Sequence, residues 1–169
     1  MLAAETGHLQ LAYDYLTEAA LMDLDDLERN TRDGLHMAAL AGCWIALVAG
    51  LAGMRHHDTT VSFAPRLPPE LTRLAFTITL RGRRLRVEVT ATTATYTLLD
   101  GAPLDITHHG QPITISAGTP GVAPIPAAPA PGTTPTQPPG REPARRRRSS
   151  QPATTTPPTT GRAVNNPIR

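Results

Sequence analysis

From Ala3 to about Met22 apolar residues recur at helical spacing. Leu9, Tyr13, Leu16 and Ala20 fall on one face, and Leu11, Tyr15 and Met22 cover a second. A helix apolar on two sides needs neighbours on both. The next stretch, Asp23 to Gly34, is polar and turn-rich, and offers Thr31 or Asp33 as caps for a second helix over about Leu35–Leu51. That helix is almost wholly apolar and ends where Gly50, Gly53 and the polar His56-His57-Asp58 begin to break it. After Thr60 the period becomes two. Leu74, Phe76, Ile78 and Leu80 alternate with Ala75, Thr77, Thr79 and Arg81, and Gly82 turns the chain. Leu85, Val87 and Val89 then alternate with Arg84, Arg86 and Glu88, which predicts a hairpin with one buried face. Tyr96 and Leu98 lead into the turn signal Asp100-Gly101. Leu104 and Ile106, then Gly110, then Ile113 and Ile115 predict two more short strands.

The predicted fold class is α+β: two helices followed by a small antiparallel β module. One small sheet cannot cover two helices with such wide apolar surfaces, so the pattern calls for further helices that this chain does not supply. Between Leu35 and Met54 only His36 is strongly polar, which raises a membrane-anchored alternative over residues 35–54. The stretch is rich in Ala and Gly and lacks flanking aromatic belts, which favours a buried helix over a span.

Composition divides the chain further. All six aromatic residues precede position 117, whereas 13 of the 18 prolines follow it. A segment so poor in anchors does not offset its ordering entropy, so residues 117–169 are expected to be a disordered tail. The expected organisation is helices over 1–57, the β domain over 58–116, and the tail. Residues 1–116 carry 9 arginines against 13 acids, a balance of −4; the tail carries 7 arginines against Glu142, a balance of +6. The overall charge of +2 therefore hides an acidic body. Cys43 is the only cysteine, which excludes an internal disulfide and suits a reducing, cytoplasmic compartment. Met1 to Glu5 lacks the basic start and apolar run of a signal peptide.

Three segments carry a resemblance. The first runs from Leu11-Ala12-Tyr13-Asp14-Tyr15 through Asp23-Leu24-Asp25-Asp26-Leu27 to Asn30-Thr31-Arg32-Asp33-Gly34-Leu35-His36-Met37-Ala38. The others are Ala41-Gly42-Cys43-Trp44-Ile45-Ala46-Leu47-Val48-Ala49-Gly50 and Val61-Ser62-Phe63-Ala64-Pro65-Arg66-Leu67-Pro68. Together they resemble glycoside hydrolase family 65, the phosphorylases of maltose, trehalose, kojibiose and similar α-glucosides, with some trehalose hydrolases. The resemblance is collinear from about Met1 to Ser116. It implies the last helices of an (α/α)6 barrel, the step into a small antiparallel, β-sandwich-like C-terminal domain, and a parent enzyme whose long N-terminal portion is not in this sequence.

An inverting phosphorylase needs a carboxylic acid to protonate the glycosidic oxygen, while phosphate itself attacks the anomeric carbon. Such a site needs donors that hold phosphate in line. His36 follows Asp33-Gly34 at the expected first turn of a helix, where the positive dipole end favours an anion. The resemblance implies that His36 is the phosphate-binding residue. It also implies that the general acid is a glutamate far upstream, so no catalytic residue is assigned here and the chain alone is expected to be inactive. Inorganic phosphate is then a co-substrate, an α-linked glucose disaccharide the other substrate, and no cofactor is expected. A noncatalytic accessory subunit, pairing with a separate barrel chain, is the alternative. The acidic run Asp23, Asp25, Asp26, Glu28 and Asp33 reads as a solvated interhelical loop. The pairs His56-His57 and His108-His109 lack a helpful ligand spacing, so no metal site is expected. The run Arg145-Arg146-Arg147-Arg148 has no interleaved aromatic residue and reads as a solvated charge run, not a specific nucleic-acid site.

Overall fold

The computed structural model describes residues 1–140 together with Glu142 and Pro143; Arg145–Arg148 lie outside the described residues. Helices α1 (Leu2–Glu5) and α2 (Leu9–Leu24) stand where one helix was expected. Gly7 separates them with φ +84°, at a place where a Cβ would run into the Pro129 carbonyl. Helix α3 (Met37–Ile45) continues as π-helical turns over Ala46–Leu51. The long apolar run is thus helical almost throughout, but it is not covered as expected. No residue of α3 is buried, and Leu40, Trp44 and Ile45 are 44%, 50% and 54% exposed. Among the described residues no helix is long and apolar enough to cross a membrane.

Eight strands among the described residues form two four-stranded sheets. The first has the order β1 (Arg55–His57), β2 (Thr60–Phe63), β6 (Leu104–His108), β7 (Gln111–Ile115). The second has the order β3 (Arg73–Leu80), β4 (Arg83–Thr90), β5 (Thr93–Asp100), β8 (Gly121–Pro124). The alternation read in β4 is real: Leu85, Val87 and Val89 are each 0% exposed. Burying three such side chains contributes about 1.5–3 kcal/mol apiece. Two-residue turns, Arg81-Gly82 and His109-Gly110, close the β3–β4 and β6–β7 hairpins with positive φ at both positions, the primed geometry that matches strand twist.

Three expectations need correction. The module is not purely antiparallel, because β2 and β6 pair in parallel. His56-His57 lies in strand β1, not at a helix end, so the β module begins ahead of residue 58. The boundary at Ser116 is too early, since β8 pairs with β5 and Ala123 is buried. At the expected Asp100-Gly101 turn, where Gly101 has φ +102°, the chain passes from the second sheet to the first.

Helices and sheets share one apolar core, running from Ala4 and Leu16 through Leu51 to Phe63 and Tyr96. The Trp44 ring meets Phe76 edge-on at 6.1 Å. Arg55 pairs with Glu5 and donates to the Ala49 carbonyl at 2.6 Å, which places a cation at the end of the helical run. Gly53 makes the sharp exit, with φ +61° and a would-be Cβ only 2.4 Å from the Ala64 oxygen. Gly53→Ala is expected to destabilise the chain by more than the roughly 1–2 kcal/mol that a left-handed residue costs, because the clash adds to it. Urea unfolding measures this, and an unchanged midpoint would show that the joint is soft.

Candidate functional site

The sequence places His36 at a helix start, and the structure puts it one position earlier than the first turn, as the N-cap residue of α3. The residue that fixes it lies on the preceding helix. Asp23, in the last turn of α2, has a side chain only 8% exposed, against 32% for that of His36. Its carboxylate accepts the backbone N–H of His36, at 2.9 Å to Oδ2 and 3.2 Å to Oδ1. The His36 ring meets the same carboxylate at 2.6 Å, Nδ1 to Oδ1. An ionised carboxylate only accepts, so Nδ1 is the donor and carries the proton.

Two consequences follow for the site. The N–H of His36 is already committed to Asp23, so the ring, rather than that amide, is the group left to meet an anion. With Nδ1 occupied, the free valence is at Nε2. A ring that also carries a proton on Nε2 is an imidazolium, whose charge the adjacent carboxylate balances. Asp23 was read with the solvated acidic run, and here that reading is wrong. A carboxylate in the last turn of a helix opposes the helix dipole, and this placement was the one signal that it required a partner.

The rest of the acidic run behaves differently. Asp26, with φ +46°, turns the chain and accepts from the Thr31 N–H at 2.9 Å and the Thr31 hydroxyl at 2.6 Å. The Thr31 hydroxyl bond, then its amide, hold the Asp26 carboxyl below the ordinary carboxylate range. Asp25 and Glu28 are exposed, and Asp33 pairs loosely with Arg32 at 3.7 Å. Thr31 and Asp33 do not cap α3 but form a separate short 3-10 turn, Thr31–Asp33.

The histidine pairs do not converge on a site. His56 and His57 are exposed on β1. His108 is buried, bonded through Nδ1 to the Tyr96 hydroxyl at 2.8 Å and through Nε2 to the Pro124 carbonyl at 3.0 Å. His109 reaches the Pro65 carbonyl at 3.3 Å, and burial holds its ring below the ordinary histidine value. Among the described residues no group of three His, Cys, Asp or Glu side chains is placed to hold a metal. Burial raises the Cys43 thiol, which makes it a poor nucleophile.

The helical segment with its histidine–carboxylate pair and the two-sheet β module that follows match two adjoining domains of one protein class. The description "Glycosyl hydrolase family 65 central catalytic domain" matches residues 1–45, and "Glycosyl hydrolase family 65, C-terminal domain" matches residues 54–115. The chain belongs to glycosyl hydrolase family 65. An uncharacterised glycosyl hydrolase of Mycobacterium leprae is 48% identical over 145 residues, covering 85% of this chain and 18% of that protein. An alpha,alpha-trehalose phosphorylase of Thermoanaerobacter brockii is 39% identical over 118 residues, covering 70% of this chain and 15% of that protein. The chain thus spans less than a fifth of the length of these relatives. A solved structure described as a kojibiose phosphorylase from the human microbiome superposes with a TM-score of 0.67 at 24% identity, over 73% of this chain and 17% of that one. The shared fold is the α+β arrangement of helices and two sheets.

Proposed function

We propose that this chain forms the phosphate-facing end of an inverting α-glucoside phosphorylase site, with His36 contacting the phosphate. The observation that carries this reading is the Asp23–His36 pair at the start of α3, inside the segment matched to a central catalytic domain. On this reading α2 and α3 are the last helices of an (α/α)6 barrel, and the exposed side of α3 packs against its remaining helices. The co-substrate is inorganic phosphate, the substrate an α-linked glucose disaccharide, and the setting the cytoplasm. Phosphate attacks the anomeric carbon in line while an acid on the other side of the bond protonates the leaving oxygen. No carboxylate near His36 takes that second part: Asp23 is committed to His36, and Asp26 is held ionised by Thr31. The proton donor comes from the catalytic portion that this chain accompanies.

The purified chain is therefore expected to show no turnover of trehalose, maltose or kojibiose, with or without phosphate. Product formation above a protein-free blank would place a proton donor within these residues and overturn the reading. A noncatalytic accessory chain pairing with a separately encoded barrel is the second reading, favoured by the same exposed face of α3. It predicts that adding the chain in trans restores phosphorolysis to a barrel lacking these helices, whereas the first reading requires covalent continuity.

A further inference from the structure

Asp23 does two things that a surface acid in a loop does not. Its carboxylate is nearly excluded from water, and both oxygens point at one residue thirteen positions away, taking the amide of His36 and the proton on Nδ1. The amide bond fixes where α3 begins. The ring bond fixes how the imidazole is turned about its side-chain torsions, and which nitrogen holds its proton. We propose that Asp23 is a positioning residue for the phosphate contact: it locks His36 with Nδ1 protonated and presents Nε2 alone to the anion. This rests on the reading of His36 as the phosphate contact.

The chemistry of the exchange follows from that lock. A single proton lies between Nε2 and a phosphate oxygen, supplied either by the ring as imidazolium or by the phosphate as its hydroxyl. In both cases the bond forms at the same nitrogen, because Nδ1 is engaged. Without Asp23 the ring is free to rotate and to place its proton on either nitrogen, so part of the population turns an unsuitable atom toward the anion. The negative charge of Asp23 stands on the opposite side of the ring from Nε2, and the ring's own positive charge, when present, offsets it.

The test is nitrogen-resolved NMR of the full chain in alkaline buffer, on the native sequence and on Asp23→Asn. The asparagine keeps an oxygen that accepts the His36 amide, so the start of α3 is preserved, and backbone amide spectra verify this. Asp23→Glu serves as a second variant, restoring the charge at a longer reach. In the native chain the His36 ring is expected almost wholly as the Nδ1–H tautomer. Asp23→Asn is expected to shift it towards Nε2–H, and Asp23→Glu to restore Nδ1–H in part. Inorganic phosphate should then move the Nε2 signal of the native chain, with about tenfold more phosphate needed in Asp23→Asn, the weight of one charge-assisted hydrogen bond. A tautomer that is the same in the native chain and Asp23→Asn overturns the positioning role. A ring locked by Asp23 that ignores phosphate overturns the phosphate reading instead.

Discussion

If His36 is the proposed phosphate contact, replacing it with alanine is expected to raise the phosphate requirement for phosphorolysis about ten- to a hundredfold, measured with this chain joined to a family 65 catalytic portion. The magnitude is that of one charge-assisted hydrogen bond, about 1.5–3 kcal/mol. The disaccharide requirement should change far less, because in the proposed site the ring meets the anion and not the sugar. Stability falls too, by about 1 kcal/mol, since Asp23 loses its ring partner but keeps the amide of residue 36. The informative comparison is between these two readouts. A variant that loses stability while keeping its phosphate requirement makes His36 a structural cap alone.

Tyr96 carries the second large effect. Its side chain is fully buried, tilted against Phe63 with ring centroids 5.1 Å apart, and its hydroxyl donates to Nδ1 of His108, whose Nε2–H in turn donates to the Pro124 carbonyl. This chain of bonds ties β5 to β6 and then to β8. Tyr96→Ala removes an aromatic ring from the core and is expected to cost about 3–5 kcal/mol. Tyr96→Phe keeps the shape but leaves a buried nitrogen without its donor, at about 1–3 kcal/mol. Burial raises the Tyr96 phenol above its ordinary value of 10.0. The folded chain therefore holds the phenol neutral where the unfolded chain lets it ionise. Its contribution is complete below about pH 10 and is lost as pH rises from there through the folded value. Urea unfolding across this range should show a steeper alkaline loss in the native chain than in Tyr96→Phe. Equal slopes would mean that the phenol is not the group responsible.

How much of this was legible in the sequence depended on whether a residue's partner was local. The alternation in β4 could be read because each inward side chain meets the core and each outward one meets water or a cross-strand charge, such as Arg73 with Glu88. Arg73 holds the Glu88 carboxyl down at about 2, the signature of a strand face patterned by charge. The helix over Leu35–Leu51 was legible as a helix, but not its covering, which depends on surfaces the described residues do not provide. The parallel pairing of β2 with β6 joins residues 45 positions apart, as Val61 with Ile106, and leaves no local mark. Strand β8 was hidden by the proline-rich composition around it, although it needs only four residues, a carbonyl bond to His108 and the Ile125 amide bond to Thr92. The place of His36 at the start of a helix was legible from the turn residues before it. Asp23 was not, because a run of acids looks the same whether one of them faces inward or all face water.

Strand β8 also governs which surface the second sheet offers to other molecules of its kind. Residues 121–124 cover β5 from Thr93 to Tyr96 and take its place at the sheet margin. A chain cut at Ser116 would leave the eight-residue β5, Thr-Ala-Thr-Tyr-Thr-Leu-Leu-Asp, with open amides and carbonyls and only its last residue charged. That margin is a template for strand-by-strand growth into fibrils. With β8 in place, Thr93–Tyr96 are paired, and the strand that covers them is four residues long, preceded by Pro120 and ending on Pro124, with Pro126 soon after. Proline has no amide proton to offer an incoming strand. The residues that made this region look unstructured thus shield the first half of β5 with a short strand that offers little to an incoming one.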